Sequence, residues 1–145
     1  MVHDWLTGYR GGERVLEHLA RRHPDADLFT LFHAPGRVPA VIEARRIETS
    51  VLDAIPFAHR HYRKLLPLLP WAIRRFDLRG YDLVLSTSHA VAKSVPVPRG
   101  TPHLDYCFTP MRYVWDQQEE YLGRGLKRAV ASPLVSALRR FDVAH

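Results

Sequence analysis

Cysteine is almost absent: Cys107 stands alone in the chain. Neither a disulfide framework nor a cysteine metal cluster can be built from one thiol. Long apolar runs are missing as well, and nothing approaches the roughly 20 residues that cross a bilayer. His3, Asp4 and Arg10 interrupt the opening, where a secretory leader needs an unbroken apolar core. A cytoplasmic setting is the expectation that follows. Acidic residues are the minority charge, 15 against 21 Lys and Arg, which leaves a net charge of +6 and a pI near 9.9. That surplus favours anionic partners: nucleic acid, anionic lipid or phosphorylated small molecules. No nucleic-acid-binding motif or basic-aromatic strand platform accompanies it, so nucleic acid is not an expected partner. His59 and His61 have no carboxylate or cysteine at ligand spacing, and no metal site is expected.

What is present suits one soluble domain. The 145 residues are 46% hydrophobic and 25% charged, enough for a single core without repeats or disordered tracts. The chain is organised around His3 to Glu13, which reads as a strand end, a glycine-rich loop and a helix start. Val15, Leu16, Leu19 and Ala20 recur at helical spacing behind it. Glu13 in the first turn and Arg21, Arg22 and His23 in the last suit the helix dipole, and Pro24 blocks continuation. Gly11-Gly12 matches neither the dinucleotide fingerprint nor a Walker loop. It does offer a helix N-terminus that an anion can approach closely.

Further along, strands and helices alternate. Leu28 to Phe32 reads as a buried strand and Pro39 to Ala44 as a short helix. Arg46 to Val51 alternates as a half-exposed edge strand, with Ile47, Thr49 and Val51 on one side and Arg46, Glu48 and Ser50 on the other. His59 to Arg79 mixes arginines with Leu and Trp and reads as a helix broken near Pro67 and Pro70. It suits either an anionic membrane surface or a core-facing helix with a solvated basic face. Leu83-Val84-Leu85 reads as a buried strand, followed by a helical turn over Ala90 to Lys93 capped by Ser88. Leu104 to Phe108 is another strand, and a last helix places Leu134, Leu138 and Phe141 on one face. Only Met1 and Val2 precede His3, so the first strand reads as clipped against a usual 5–6 residues. Phe141 to His145 reads as the start of one more strand where the sequence stops.

This alternation predicts an α/β fold with a doubly wound parallel sheet covered on both faces, a single domain over residues 1–145. Ligands then bind beyond the carboxyl ends of the strands. Three polar loops fall there: Asp4 to Gly12, Ser86 to Lys93, and Thr109 to Asp116. Arg10, Lys93 and Arg112, one per loop, suit phosphate or sugar contacts. Asp4 and Asp116 can accept hydrogen bonds from hydroxyls or pair with those cations. Trp5, Tyr9, Tyr113 and Trp115 offer aromatic faces for sugar stacking or core filling. Ser86, Ser88 and His89 lack the strained elbow of a serine hydrolase and an assignable carboxylate. His89 reads instead as a cap or a hydrogen-bond donor to a ligand.

Val2 to Leu16, Asp25 to Leu31, Gly80 to Val84, Ser88 to Lys93 and Thr109-Pro110-Met111-Arg112-Tyr113-Val114-Trp115-Asp116 resemble, in order, glycosyltransferase family 4 proteins of the WbaZ-like mannosyltransferase group. The resemblance spans nearly the whole chain. It implies the N-terminal, acceptor-side Rossmann-like half of a two-domain GT-B enzyme, with the C-terminal donor-binding domain not matched here. It implies transfer of a sugar, mannose for example, with anomeric retention and without a metal, from a GDP- or UDP-sugar to a polysaccharide or lipid-linked glycan. No cofactor is expected on this chain alone. The partners implied are the nucleotide-sugar, the acceptor, an anionic membrane surface on the inner face of the cell membrane, and a donor-binding domain or partner chain. Gly11 and Gly12 map to the loop that approaches the donor phosphate. His89 and Asp4 are the catalytic candidates. Tyr9, Arg10, Ser88, Lys93, Thr109, Arg112, Tyr113 and Asp116 are the substrate-binding candidates. The resemblance puts a histidine just before Thr109, where this chain has Phe108, whose phenyl ring donates no hydrogen bond. The alternative is a non-catalytic module that binds glycan or anionic lipid.

Overall fold

A computed structural model describes the backbone of residues 1–115 and 126–144, with all their side chains except those of Tyr113 and residues 126–132. Asp116 lies outside the described residues. Among the described residues the strands are β1 (Val2–His3), β2 (Leu28–Thr30), β3 (Ile47–Thr49), β4 (Val84–Ser88) and β5 (His103–Cys107). All neighbours pair in parallel, in the order β3-β2-β1-β4-β5. This is the doubly wound, Rossmann-like arrangement, with its topological switch between β1 and β4. Pairing of the first strand resumes past His3, because Leu6 N–H donates to Phe32 O at 2.7 Å and Ala34 N–H to Leu6 O at 2.9 Å.

Two apolar layers cover the sheet. Beneath α1 (Gly11–Arg22) and α2 (Ala40–Glu43) lie Leu6, Leu16, Ala20, Leu28 and Ile42. The other face packs Val2, Phe29 and Val84 against Leu66, Leu69, Ile73 and Phe76. The side-chain period of two sends Phe29 to one layer and Leu28 to the other. Each fully buried Leu or Ile contributes roughly 1.5–3 kcal/mol. α1 begins and ends where its charges suggest, with Glu13 in the first turn and Arg21 and Arg22 in the last.

The Pro67–Pro70 region is broken as expected. α3 (Ala58–His61) runs into a 3-10 helix over Tyr62–Leu68 and then α4 (Leu69–Ile73), with Pro70 in the first turn of α4. Its apolar side is buried in the core, while Leu68 and Trp71 remain 44% and 50% exposed.

Four expectations need correction. β4 runs through Ser88, and Leu83 is exposed rather than buried, because the strand starts one residue later. Ser50 is buried although it shares the alternation of Arg46 and Glu48: the chain leaves β3 there, and Ser50 Oγ donates to Leu31 O at 2.8 Å. The chain end is not a strand. Phe141 to Ala144 continue the helix α6 (Leu126–Ala144), whose inward side carries Val135, Leu138 and Asp142, with Leu134 turned toward solvent. Finally, the turn after β4 is capped by Asp4 and not by Ser88, as described next.

Candidate functional site

The pairings Val2 with Ser86 and His3 with Thr87 set the ends of β1 and β4 level. Asp4 therefore faces the turn that follows Ser88. Its side chain is fully buried. One carboxylate oxygen accepts from the N–H groups of His89 (2.7 Å) and Ala90 (3.0 Å), the other from those of Val91 (2.7 Å) and Ala92 (2.8 Å). Four successive N–H groups form a concavity made for an anion, and the chain fills it with its own carboxylate. Asp4 is thus a positioning residue for His89, whose Nδ1 lies 3.3 Å from it. Ser88 is fully buried beside this clasp.

After β1 the helix start is capped by its own Glu13, whose carboxylate accepts from the Arg10 N–H and is also held by the Glu13 backbone N–H. The first backbone bond of α1 runs from Arg14 N–H to Arg10 O at 3.0 Å, so the N–H groups of Gly11, Gly12 and Glu13 precede the ladder. Neither Gly11 nor Gly12 has a positive φ, which among the described residues occurs at Gly36, Gly80, Gly100 and Phe57. Backbone strain does not require glycine at either position. A Cβ on Gly11 would meet nothing within 4 Å, and one on Gly12 would sit 3.4 Å from the Phe108 ring and 3.6 Å from His3. Gly12 is the floor of a crevice of about 350 Å³, lined also by Trp5, Arg10, Gly11, Glu13, His89 and Phe108. It opens at the switch point, where α/β sheets place ligands.

No family model, curated protein or solved structure matches the chain.

Behind the crevice lies a buried polar row. His3 Nδ1 is 2.7 Å from Thr87 Oγ1, and its Nε2 faces Glu13 at 3.8 Å. Glu13 Oε2 accepts from Arg10 N–H at 2.8 Å. Burial pushes the Glu13 carboxyl up, but the facing His3 imidazole and the bonds from backbone N–H groups together outweigh that and hold it low. Burial also dominates His89 and lowers its pKa below the usual 6.5, with Asp4 opposing and His3 and Arg10 assisting. His89 stacks edge-on against Trp5 at 4.5 Å. As a neutral imidazole it can accept or donate one hydrogen bond into the crevice.

This predicts a sign for acid sensitivity. The unfolded chain binds the His89 proton more readily than the folded one, so the stabilisation is complete above about pH 6.5 and is lost as pH falls below it. His103, also lowered by burial, acts in the same direction. Urea midpoints measured from about pH 7.5 down to about pH 5.5 should fall for the native chain and fall less for His89→Asn. Parallel losses in the two proteins would contradict the assignment.

The remaining candidates separate. Lys93 does not reach the crevice: Nζ pairs with Asp142 Oδ1 at 3.0 Å and donates to Asp142 O at 2.8 Å, which ties α6 to the sheet. Tyr9 is exposed and donates to Glu17. Thr109 and Arg112 are exposed beyond β5 and do not line the crevice. Tyr113 lies in α5 (Arg112–Trp115). Trp5 is buried, and Trp115 Nε1 donates to Asp142 at 2.8 Å. Ser86, 1% exposed, donates to Asp105 and lies 2.8 Å from His103 Nε2. In a hydrolytic triad the carboxylate orients the imidazole. Here both converge on a buried hydroxyl, a cross-strand tie rather than a nucleophile. Among the described residues no metal-holding cluster of His, Cys, Asp and Glu is present.

Sequence reasoning missed Glu13 as part of the crevice wall and Asp142 as the partner of Lys93. A signal existed for the second: Asp142 falls on the buried i, i+3, i+7 row of Val135 and Leu138.

Proposed function

We propose that this chain is the acceptor-side half of a retaining glycosyltransferase of the family 4 type, acting on a nucleotide-sugar and a polysaccharide or lipid-linked glycan. The observation that carries the reading is the meeting of Gly11 and Gly12 at the start of α1 with His89 and Phe108 in one crevice at the switch point. The ordered motif resemblance supports it. In this reading the N–H groups at Gly11 and Gly12 stabilise charge on the donor phosphate as the sugar leaves. Arg10, exposed at the rim, adds a positive charge. His89 holds a sugar hydroxyl by one hydrogen bond, in the orientation that Asp4 fixes. Phe108 supplies an apolar wall that excludes water from the transferred sugar. No step needs a metal.

The chain supplies one wall of a donor site, so the reading requires a second, donor-binding half in the same polypeptide or in a partner chain. Among the described residues no helix is long and apolar enough to cross a membrane. Exposed Phe57, Leu68 and Trp71 beside basic residues support peripheral contact with an anionic inner membrane face. Intact-mass analysis of the native gene product, with cross-linking, tests the requirement. A product well above 16.7 kDa, or a stoichiometric partner that binds nucleotide-sugar, is the expected result. A lone chain of that mass with no such partner would favour the second reading, a glycan- or lipid-binding module, for which the exposed aromatic and basic surface is the supporting observation.

A further inference from the structure

The two edges of the sheet are not alike. β3 is three residues long, and its exposed Glu48 follows Arg46, charges of the kind that guard an edge. β5 is five residues long and pairs with β4 throughout. Its residues His103 to Cys107 include no lysine, arginine or proline. A parallel sheet is normally covered on both faces. Here Leu104 is 63% and Tyr106 58% exposed, and Asp105 and Cys107 are exposed as well. Among the described residues no strand lies beyond β5. The backbone groups on that outer side follow from the pairing. Phe108 N–H donates to Ser88 O at 2.8 Å, and Pro102 O accepts from Val84 N–H at 2.9 Å. Even-numbered residues therefore bond to β4, and the N–H and C=O groups of His103, Asp105 and Cys107 point outward. The side chains alternate with the same period. Leu104 and Tyr106 share a face with Phe108, whose ring lies 5.1 Å from that of Tyr106. His103 and Asp105 share the other face, both held by the Ser86 hydroxyl.

We propose that β5 pairs antiparallel with β5 of a second copy of this chain, with the two-fold axis at Leu104, so that two sheets join into one. Opposed residues must share a face, which requires the axis to pass through a residue. With the axis at Leu104, His103 stands opposite Asp105 of the second copy, and the reverse. These are residues whose backbone groups point outward, so each such pair exchanges both N–H···O bonds. An imidazole then faces a carboxylate and not a like charge. Leu104 meets its own copy at a closely spaced position without ladder bonds. Pro102, which has no N–H to give, falls at another such position, opposite Tyr106. An axis at Asp105 would set two carboxylates against each other, and one at Tyr106 would oppose Asp105 to Cys107 with no countercharge. The pairing does not rest on the transfer reading above.

Sedimentation equilibrium of the whole chain tests the pairing, and oxidative cross-linking tests its register. The expected result is a dimer of twice the 16.7 kDa chain, with a Kd in the micromolar range. Leu104→Lys sets two ammonium groups together at the axis and should weaken dimerisation at least about tenfold. Glu48→Lys, at the exposed position of the other edge, should leave it nearly unchanged. Both substitutions fall on exposed side chains, and unchanged urea midpoints show that the fold is kept. Leu104→Cys and Tyr106→Cys are then compared, each in a Cys107→Ser background. The axis brings the two copies of residue 104 to a Cα separation of about 4.5 Å, within disulfide reach. It leaves the two copies of residue 106 roughly 13 Å apart along the strands. Under mild oxidation Leu104→Cys should give a covalent dimer and Tyr106→Cys should not. A chain that stays monomeric throughout the micromolar range, equal dimerisation by Leu104→Lys and the native chain, or Leu104→Cys cross-linking no better than Tyr106→Cys overturns the proposal.

Discussion

Asp4→Ala is expected to cost the chain roughly 3–5 kcal/mol, a large part of the roughly 5–15 kcal/mol by which domains of this kind are stable. The carboxylate is fully buried and accepts from four consecutive N–H groups. Hydrogen bonds to a charged group are worth about 1.5–3 kcal/mol each, and their plain sum, about 6–12 kcal/mol, would match the whole stability of the fold. The smaller figure is the better expectation, because His89 keeps a partly exposed side chain and water can follow it to some of the freed donors. Asp4→Asn should recover little, since one of its terminal atoms becomes a donor aimed at two N–H groups. Urea denaturation reads both variants. A loss below about 1 kcal/mol would show that the clasp does not hold the loop.

The second large effect is expected one residue past the clasp, where Lys93 meets Asp142. Asp142→Ala leaves the Lys93 ammonium nearly buried, with the main-chain carbonyl of residue 142 but no countercharge, at a cost of about 3 kcal/mol. It also removes the acceptor for Met111 N–H at 3.2 Å and Trp115 Nε1 at 2.8 Å, so α5 and α6 loosen together. Lys93→Met should cost less, because Asp142 keeps those two donors. The double variant Lys93→Met/Asp142→Leu should be more stable than the sum of the single losses predicts, by more than about 1 kcal/mol, since it leaves no uncompensated charge. Hydrogen exchange over residues 133–144 should accelerate in Asp142→Ala. Additive losses with unchanged exchange would contradict a pair that anchors the helix.

The fold class was legible because its signals are local and agree with one another. Glu13, Leu16, Arg21, Arg22 and Pro24 mark a helix with its ends, and the alternation around Ile47 marks an edge strand. The order of strands was legible only as a class, since no local rule pairs β1 with β4 across 80 residues of chain. The same distance hid the role of Asp4. A lone aspartate after a strand looks like a ligand for hydroxyls, and only the register of Val2 on Ser86 reveals four N–H groups waiting for it. Lys93 was misplaced for a related reason. As a loop cation it suggested phosphate, but its partner Asp142 comes 49 residues later. Gly11 and Gly12 were legible as the loop that opens a helix; both line the crevice, where Gly12 lies beside Phe108 and nothing crowds Gly11.

The central claim is that the crevice over Gly12 is where the donor phosphate and the transferred sugar meet. The most direct test is Gly12→Leu in the native gene product, assayed for sugar transfer from GDP- and UDP-sugars, with the product anomer read by NMR. A leucine at this position would project toward Phe108 and fill the crevice. The expected result is transfer with retention by the native protein and a loss of at least about a hundredfold in the variant, near 2.7 kcal/mol of transition-state stabilisation. The urea midpoint should shift by much less than that loss implies. Transfer by Gly12→Leu at the native rate, or consumption of no nucleotide-sugar by the native protein, would contradict the account.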